Sequence, residues 1–160
     1  MKKSIQSALN TQLKHEYESS YIYLAMAAYF AEEGFNGLSA WMKKQSTEEL
    51  VHAHRFFDFI NENNGAVSLQ AIAAPKANWK SVKAVFEAGL AHEKLITDSI
   101  NKLIDLAVKE KDHGTHHFLL GFATEQVEEE NIFRDIVRKL RLLGENPTGL
   151  LMVDRELGGR

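Results

Sequence analysis

The chain contains no cysteine, so it has neither disulfides nor thiolate metal ligands, and it suits a reducing compartment such as the cytoplasm. It also lacks long apolar runs: none approaches the roughly 20 residues that cross a bilayer, and no membrane partner is expected. Met1-Lys2-Lys3-Ser4-Ile5-Gln6 has charge but no apolar stretch behind it, so it does not read as a secretion signal. A formal charge of −3 provides no basic field for nucleic acid. Alternation of period two is missing over any useful length, which excludes a sheet and leaves an all-α class. Proline occurs only twice in 160 residues, at Pro75 and Pro147, so little interrupts long helices.

What is present is the material of one domain over 1–160, large enough to bury a single core without staples. Glycine and proline fall in clusters: Gly34 and Gly37, Gly65 to Pro75, Gly114, and Gly144 to Gly149. Between them the sequence predicts four long helices over about 4–33, 38–64, 81–111 and 115–143, then a short fifth near 150–157. Ser81 reads as an N-cap and Gly144 as a stop.

Each long segment carries a seam at alternating three and four spacing, the mark of a face packed inside a bundle. The seams run Leu9, Leu13, Glu16, Ser20, Tyr23, Ala27, Phe30; then Leu38, Met42, Gln45, Glu49, His52, Phe56, Phe59. The third is Val82, Phe86, Gly89, Glu93, Ile96, Ile100, Leu103, and the fourth Leu119, Phe122, Gln126, Glu129, Phe133, Ile136, Leu140. Every seam is apolar at its ends and acidic in its middle. A buried, unpaired carboxylate costs several kcal/mol or more, so four of them on core-facing stripes imply a positive charge among them.

The two halves repeat. Glu93 follows Glu16 by 77 positions, and the same offset carries Glu49 to Gln126 and His52 to Glu129. Short turns make each half an antiparallel hairpin, and two facing hairpins bring the six side chains into one central site. The connection over 65–80 is too long for a turn. Its 16 residues reach roughly 50 Å when extended, more than the roughly 40 Å of a 27-residue helix. A crossover along the bundle, making the second and third helices parallel, is expected.

Glu49-x-x-His52 places both side chains on one helical face. Glu16, Glu49, Glu93 and Glu129 supply four negative charges, which two divalent cations cancel. Glu49 can bridge the two, with Glu16 and His52 completing one and Glu93 and Glu129 the other. Oxygen-rich ligation with one imidazole and no sulfur suits iron or manganese better than a structural zinc site. Gln126 is either a satisfied core amide or a ligand. Tyr23 is either core or a hydrogen-bond donor to a ligand and a source of an electron. Glu48, Glu125 and Glu128, beside Glu129, form a second cluster offset by one residue, and a third cation is expected there. Glu130 reads as part of a solvated charged face. The histidines off the seams (His15, His54, His92, His113, His116, His117) are assigned no ligand role. Tyr21, Phe35, Leu69 and Trp79 lie outside the seams and are expected to be surplus apolar surface for self-association.

The segments His15-Glu16-Tyr17-Glu18-Ser19-Ser20-Tyr21-Ile22-Tyr23, Glu48-Glu49-Leu50-Val51-His52, His92-Glu93-Lys94-Leu95-Ile96-Thr97, Glu125-Gln126-Val127-Glu128-Glu129-Glu130 and Gly149-Leu150-Leu151-Met152-Val153-Asp154 resemble the bacterial non-haem ferritins over nearly the whole chain. The resemblance implies a ferritin-like four-helix bundle with one long crossover and a short C-terminal helix. It implies two irons at Glu16, Glu49, His52, Glu93 and Glu129, with Gln126 adjacent, and a third at Glu48, Glu125, Glu128 and Glu129. It further implies ferroxidase activity with oxygen or peroxide, and storage of hydrated ferric oxide inside a homo-oligomeric shell of 24 subunits. The segment Leu150 to Leu157 is apolar on one side and could line a symmetry axis of that shell. The sequence departs from haem-binding relatives: Leu50 stands where they offer a ligating methionine, and Gln126-x-x-Glu129 replaces a second Glu-x-x-His, so no haem is expected. Without cysteine there is no rubredoxin-type centre. Gly121 and Phe122 replace a tryptophan-containing pair common in relatives.

Overall fold

The computed structural model describes residues 1–159, and among them there are five helices and no strand. They are α1 Lys3–Glu32, α2 Asn36–Glu62, α3 Val82–Lys109, α4 His113–Leu143 and α5 Pro147–Gly158. The four long helices match the expected segments to within two residues at each end. α5 begins earlier than expected, because Asn146 accepts a hydrogen bond from the Gly149 amide and Pro147 occupies the first turn, where a missing N–H costs nothing.

Local chemistry explains the breaks. Ser81 Oγ accepts from the Ala84 amide and Asp112 Oδ1 from the Thr115 amide, which starts α3 and α4. Gly34, Asn64 and Lys111 take positive φ after α1, α2 and α3, and each following amide (Phe35, Gly65, Asp112) bonds back to a carbonyl five residues earlier. Three helices therefore end in the same left-handed turn, which satisfies otherwise orphaned carbonyls.

The seams pack inward as expected: all but His52, Phe59 and Glu129 are buried, and those three are half-buried. The apolar interior divides in two. One cluster joins Tyr23, Phe30, Trp41, Phe86 and Phe133 at the end where α1 meets α2, and the other joins Leu9, Leu13, Phe56, Ile60, Ile100 and Leu119 at the opposite end. Fully burying each such side chain contributes about 1.5–3 kcal/mol. Between these two plugs lies the acidic layer.

The crossover does run the length of the bundle. Near its start, Asn10 donates to the Ala66 carbonyl and accepts from the Ser68 amide, and Gln6 accepts from the Ala66 amide. Near its end, Trp79 packs edge-on against Tyr29. Lys2 reaches Glu110 while Phe30 packs on Phe86, so α1 and α3 are antiparallel and α2 and α3 parallel. α5 folds back on the start of α2, where Asp154 Oδ1 accepts from the Leu38 amide at 2.8 Å, a carboxylate at the positive end of a helix. The approach is close: a Cβ on Gly37 would lie 1.9 Å from the Asp154 carbonyl oxygen.

Two expectations about apolar surface are corrected. Phe35 and Trp79 are only partly exposed and pack on the core cluster, because the turn after α1 and the end of the crossover fold inward there. Tyr21 and Leu69 are exposed as expected. No helix is long and apolar enough to cross a membrane among the described residues.

Candidate metal centre

The centre sits in the polar layer, where each helix contributes its mid-seam residue. Glu16, Glu49, Glu93 and Gln126 are buried, whereas His52 and Glu129 are partly open. Glu16 comes from α1 and Glu49 and His52 from consecutive turns of α2. His52 Nδ1 lies 3.3 Å from Glu49 Oε2 and 3.9 Å from Glu16 Oε2. Ligand atoms of these three residues converge within 4.8 Å of one another. Glu16 Oε1 accepts from the Gln12 amide at 2.7 Å, but Glu16 Oε2 is buried without a donor.

The opposite half is differently arranged. Tyr23 donates its hydroxyl to Glu93 Oε1, and Gln126 Nε2 donates to Glu93 Oε2 at 3.0 Å. Gln45 Nε2 donates to Glu129 Oε2 at 3.1 Å. Tyr23 also stacks on Phe133 and meets His92 edge-on. Tyr23 and Gln126 are both buried, and each donates to the same carboxylate, Glu93.

Crowded acids in a dry layer resist ionisation. Burial pushes Glu16 well above the usual carboxylate range, and the neighbouring Glu49 adds to it. Glu49 is raised by burial and then by Glu93. Glu93 is raised by burial, opposed by the hydrogen bonds from Tyr23 and Gln126. Burial, Glu93 and Glu48 lift Glu129 to about 7. Desolvation and like charge are the causes throughout. A divalent cation reverses both, since it replaces lost hydration and cancels charge. The donor-less Glu16 Oε2, 3.9 Å from His52 and beside Glu49, fits that role, and the oxygen-rich donors with one imidazole suit a hard or borderline ion.

Glu48, Glu125 and Glu128 are not gathered into a comparable cluster among the described residues. Glu125 is held by Arg55, whose Nη1 lies 2.7 and 2.9 Å from its two oxygens, and Glu125 Oε2 is 3.3 Å from His52 Nε2. Glu128 is exposed and Glu48 half-buried. Glu130 is not simply solvated: it accepts from Thr97 Oγ1 at 2.7 Å and pairs with Arg134. His92 is half-buried. It contacts Ser19 Oγ at 2.8 Å, and burial, then His15, lower its pKa to about 4.

Sequence reasoning passed over Gln12 and Arg55, and it placed Gln45 on a seam without giving it a partner. Gln12 stands four residues before Glu16, so i, i+4 spacing from an acidic ligand was its available signal, whereas Gln45 donates across the bundle to Glu129. Arg55, three residues after His52, gave none: an arginine there is indistinguishable from an ordinary surface residue until α4 is packed against it.

A four-helix bundle with a carboxylate and histidine cluster between two apolar plugs defines the class of helical carboxylate metal proteins. The chain belongs to the ferritin-like family: its ferritin-like domain model matches residues 6–143. It is 40% identical to a bacterial non-heme ferritin of Bacteroides fragilis, covering 98% of this chain and 97% of that protein. It is 37% identical to a probable bacterial non-heme ferritin-like protein of Haemophilus influenzae, over 99% and 96% of the two chains. Among solved structures it superimposes with a TM-score of 0.99 on an open-pore ferritin of the hyperthermophilic archaeon Archaeoglobus fulgidus, at 44% identity over 100% and 99% of the two chains.

Proposed function

We propose that the chain, as one ferritin-like domain, is an iron-storage subunit with ferroxidase activity at the central cluster. The observation that carries this reading is the buried carboxylate layer, whose acids resist ionisation, with an orphaned oxygen at Glu16. Such a layer is costly in a metal-free bundle and favourable around two dications. Ferrous ions are the substrate. Glu16, Glu49 and His52 would take the first, and Glu49, Glu93 and Glu129 the second, with Glu49 bridging and Gln126 beside them. Each ferrous ion gives up one electron, and two electrons with two protons reduce oxygen to hydrogen peroxide, or peroxide to water. Carboxylates favour the harder ferric product. Tyr23, hydrogen-bonded to Glu93, is placed to lend a further electron. A third ion at Glu48, Glu125, Glu128 and Glu129 would have to take Glu125 from Arg55.

Storage needs a cavity that one bundle lacks, so the reading includes a closed homo-oligomer, of 24 subunits as the resemblance to bacterial non-haem ferritins implies. The exposed Tyr21, Leu24, Leu69 and Ile72 supply apolar surface for it, and the exposed Leu151 and Met152 on α5 supply more. A cytoplasmic site of action and the absence of haem remain part of this proposal. The test is native mass and iron loading. A large shell that accumulates far more iron per subunit than three sites hold supports storage. A stable dimer that stops at two or three ions per chain would instead make this a di-iron oxidase without storage.

A further inference from the structure

Arg55 extends from α2 across to α4 and makes three contacts there. Its Nη1 lies 2.9 and 2.7 Å from the two oxygens of Glu125, its guanidinium carbon sits 4.0 Å from the centre of the Phe122 ring, and its Nη2 lies over Gly121. A Cβ on Gly121 would lie 3.5 Å from Nη2, an ordinary van der Waals contact, so the guanidinium packs directly on the α4 surface. A charge-assisted pair with an aromatic face below favours one placement of the guanidinium. Glu125 then reaches a second partner, because its Oε2 is also 3.3 Å from His52 Nε2. The other ring nitrogen, Nδ1, points toward Glu49 and Glu16.

An imidazole that ligates a cation through one nitrogen needs the lone pair there and the proton on the other. A carboxylate on the protonated nitrogen fixes both tautomer and ring orientation, and losing such a partner typically costs 10–100-fold in metal affinity. We propose that Arg55 and Glu125 are positioning residues for His52: Arg55 pins Glu125, and Glu125 holds His52 with Nδ1 toward the cation position. This rests on the reading of Glu16, Glu49 and His52 as a cation site. It assigns Glu125 a task beside His52, separate from any part in holding a third ion.

The sign of one effect separates this from plain electrostatics. A guanidinium beside a cation site repels the incoming ion, so deleting it should tighten binding if charge were all that mattered. A positioning role has the opposite sign. The experiment is anaerobic calorimetric titration of the intact metal-free protein with cobalt(II), together with the visible absorption of the bound ion. For Arg55→Gln and Glu125→Gln the first cobalt is expected to bind about tenfold or more weaker, with altered absorption. Arg55→Lys, which keeps the charge but loses the planar group over Phe122, should fall between Arg55→Gln and wild type. The double variant Arg55→Gln/Glu125→Gln should be no weaker than Glu125→Gln alone, because the two residues act in series. Unchanged or tighter first-ion binding in Arg55→Gln, with helicity and assembly retained, overturns the proposal. Failure of the underlying reading shows differently: wild type would then bind no cobalt in the bundle, or His52→Ala would bind it as well as wild type.

Discussion

The two halves of the central site descend from one pattern and differ in how completely they are satisfied. On the α1–α2 side, Glu16, Glu49 and His52 converge and one carboxylate oxygen has no donor. On the α3–α4 side, Glu93 accepts from Tyr23 and Gln126, and Glu129 from Gln45. The offset of 77 residues places Gln126 where the first half has Glu49, and this exchange converts an acceptor into a donor. The first half is therefore short of positive charge, while the second has already filled part of its deficit with neutral hydrogen bonds. An unsatisfied buried acceptor gains more from a cation than a satisfied one, so the α1–α2 half should bind first and tighter.

The largest expected effect breaks the comparison from the stronger side. Glu49→Ala and His52→Ala should each remove first-ion binding and with it rapid ferrous oxidation, by about 100-fold or more in stopped-flow rates, given that even a ligand's hydrogen-bond partner can be worth that much. Both variants should remain helical, because removing one acid from a crowded apo cluster relieves repulsion. Glu129→Ala should leave the first ion in place and lose the second. Equal loss of both ions in all three variants would mean that the halves act as one unit.

That much was legible from spacing. The seams, the four acids and Glu49-x-x-His52 follow from one periodicity, and the crossover from loop length. The supporting contacts were not, since they depend on which neighbouring helix lies opposite. Arg55 joins Glu125 only after α2 and α4 pack, and Glu130, in a run that reads as solvated charge, is drawn inward by Thr97 across the α3–α4 contact. Trp79 reads as exposed because the end of the crossover follows no period, yet it rests on Tyr29.

Proton linkage gives the next effect. Burial, then Glu93 and Glu48, raise Glu129 from the ordinary 4.5 to about 7 in the folded protein, and burial also raises Glu16 and Glu49 well above that ordinary value. A carboxyl whose folded pKa exceeds its unfolded one binds more protons in the native state, so its contribution is complete below about 4.5 and is lost as pH rises through the folded value. The metal-free protein should show a falling thermal midpoint between pH 5 and 8, and a saturating divalent cation should remove that slope. A midpoint that rises over this range without metal would contradict the assignment of a protonated layer.

The smallest effect sharpens the comparison. Gln45→Leu deletes the neutral donor to Glu129 at little cost in volume, while Glu93 keeps its donors Tyr23 and Gln126. The second ion should then bind tighter by a few-fold, on the order of the 1 kcal/mol that one hydrogen bond contributes net, as read by anaerobic zinc titration. Weaker binding would show instead that Gln45 orients Glu129 as a ligand.

The most direct measurement is an anaerobic ferrous soak of crystals, stepped in concentration and read by anomalous scattering at the iron edge. The first peak is expected among Glu16, Glu49 and His52, and the second, at higher iron, beside Glu93 and Glu129 with Glu49 between the two. A first peak on the Glu93 side, or no iron within the bundle at any concentration, would contradict the account.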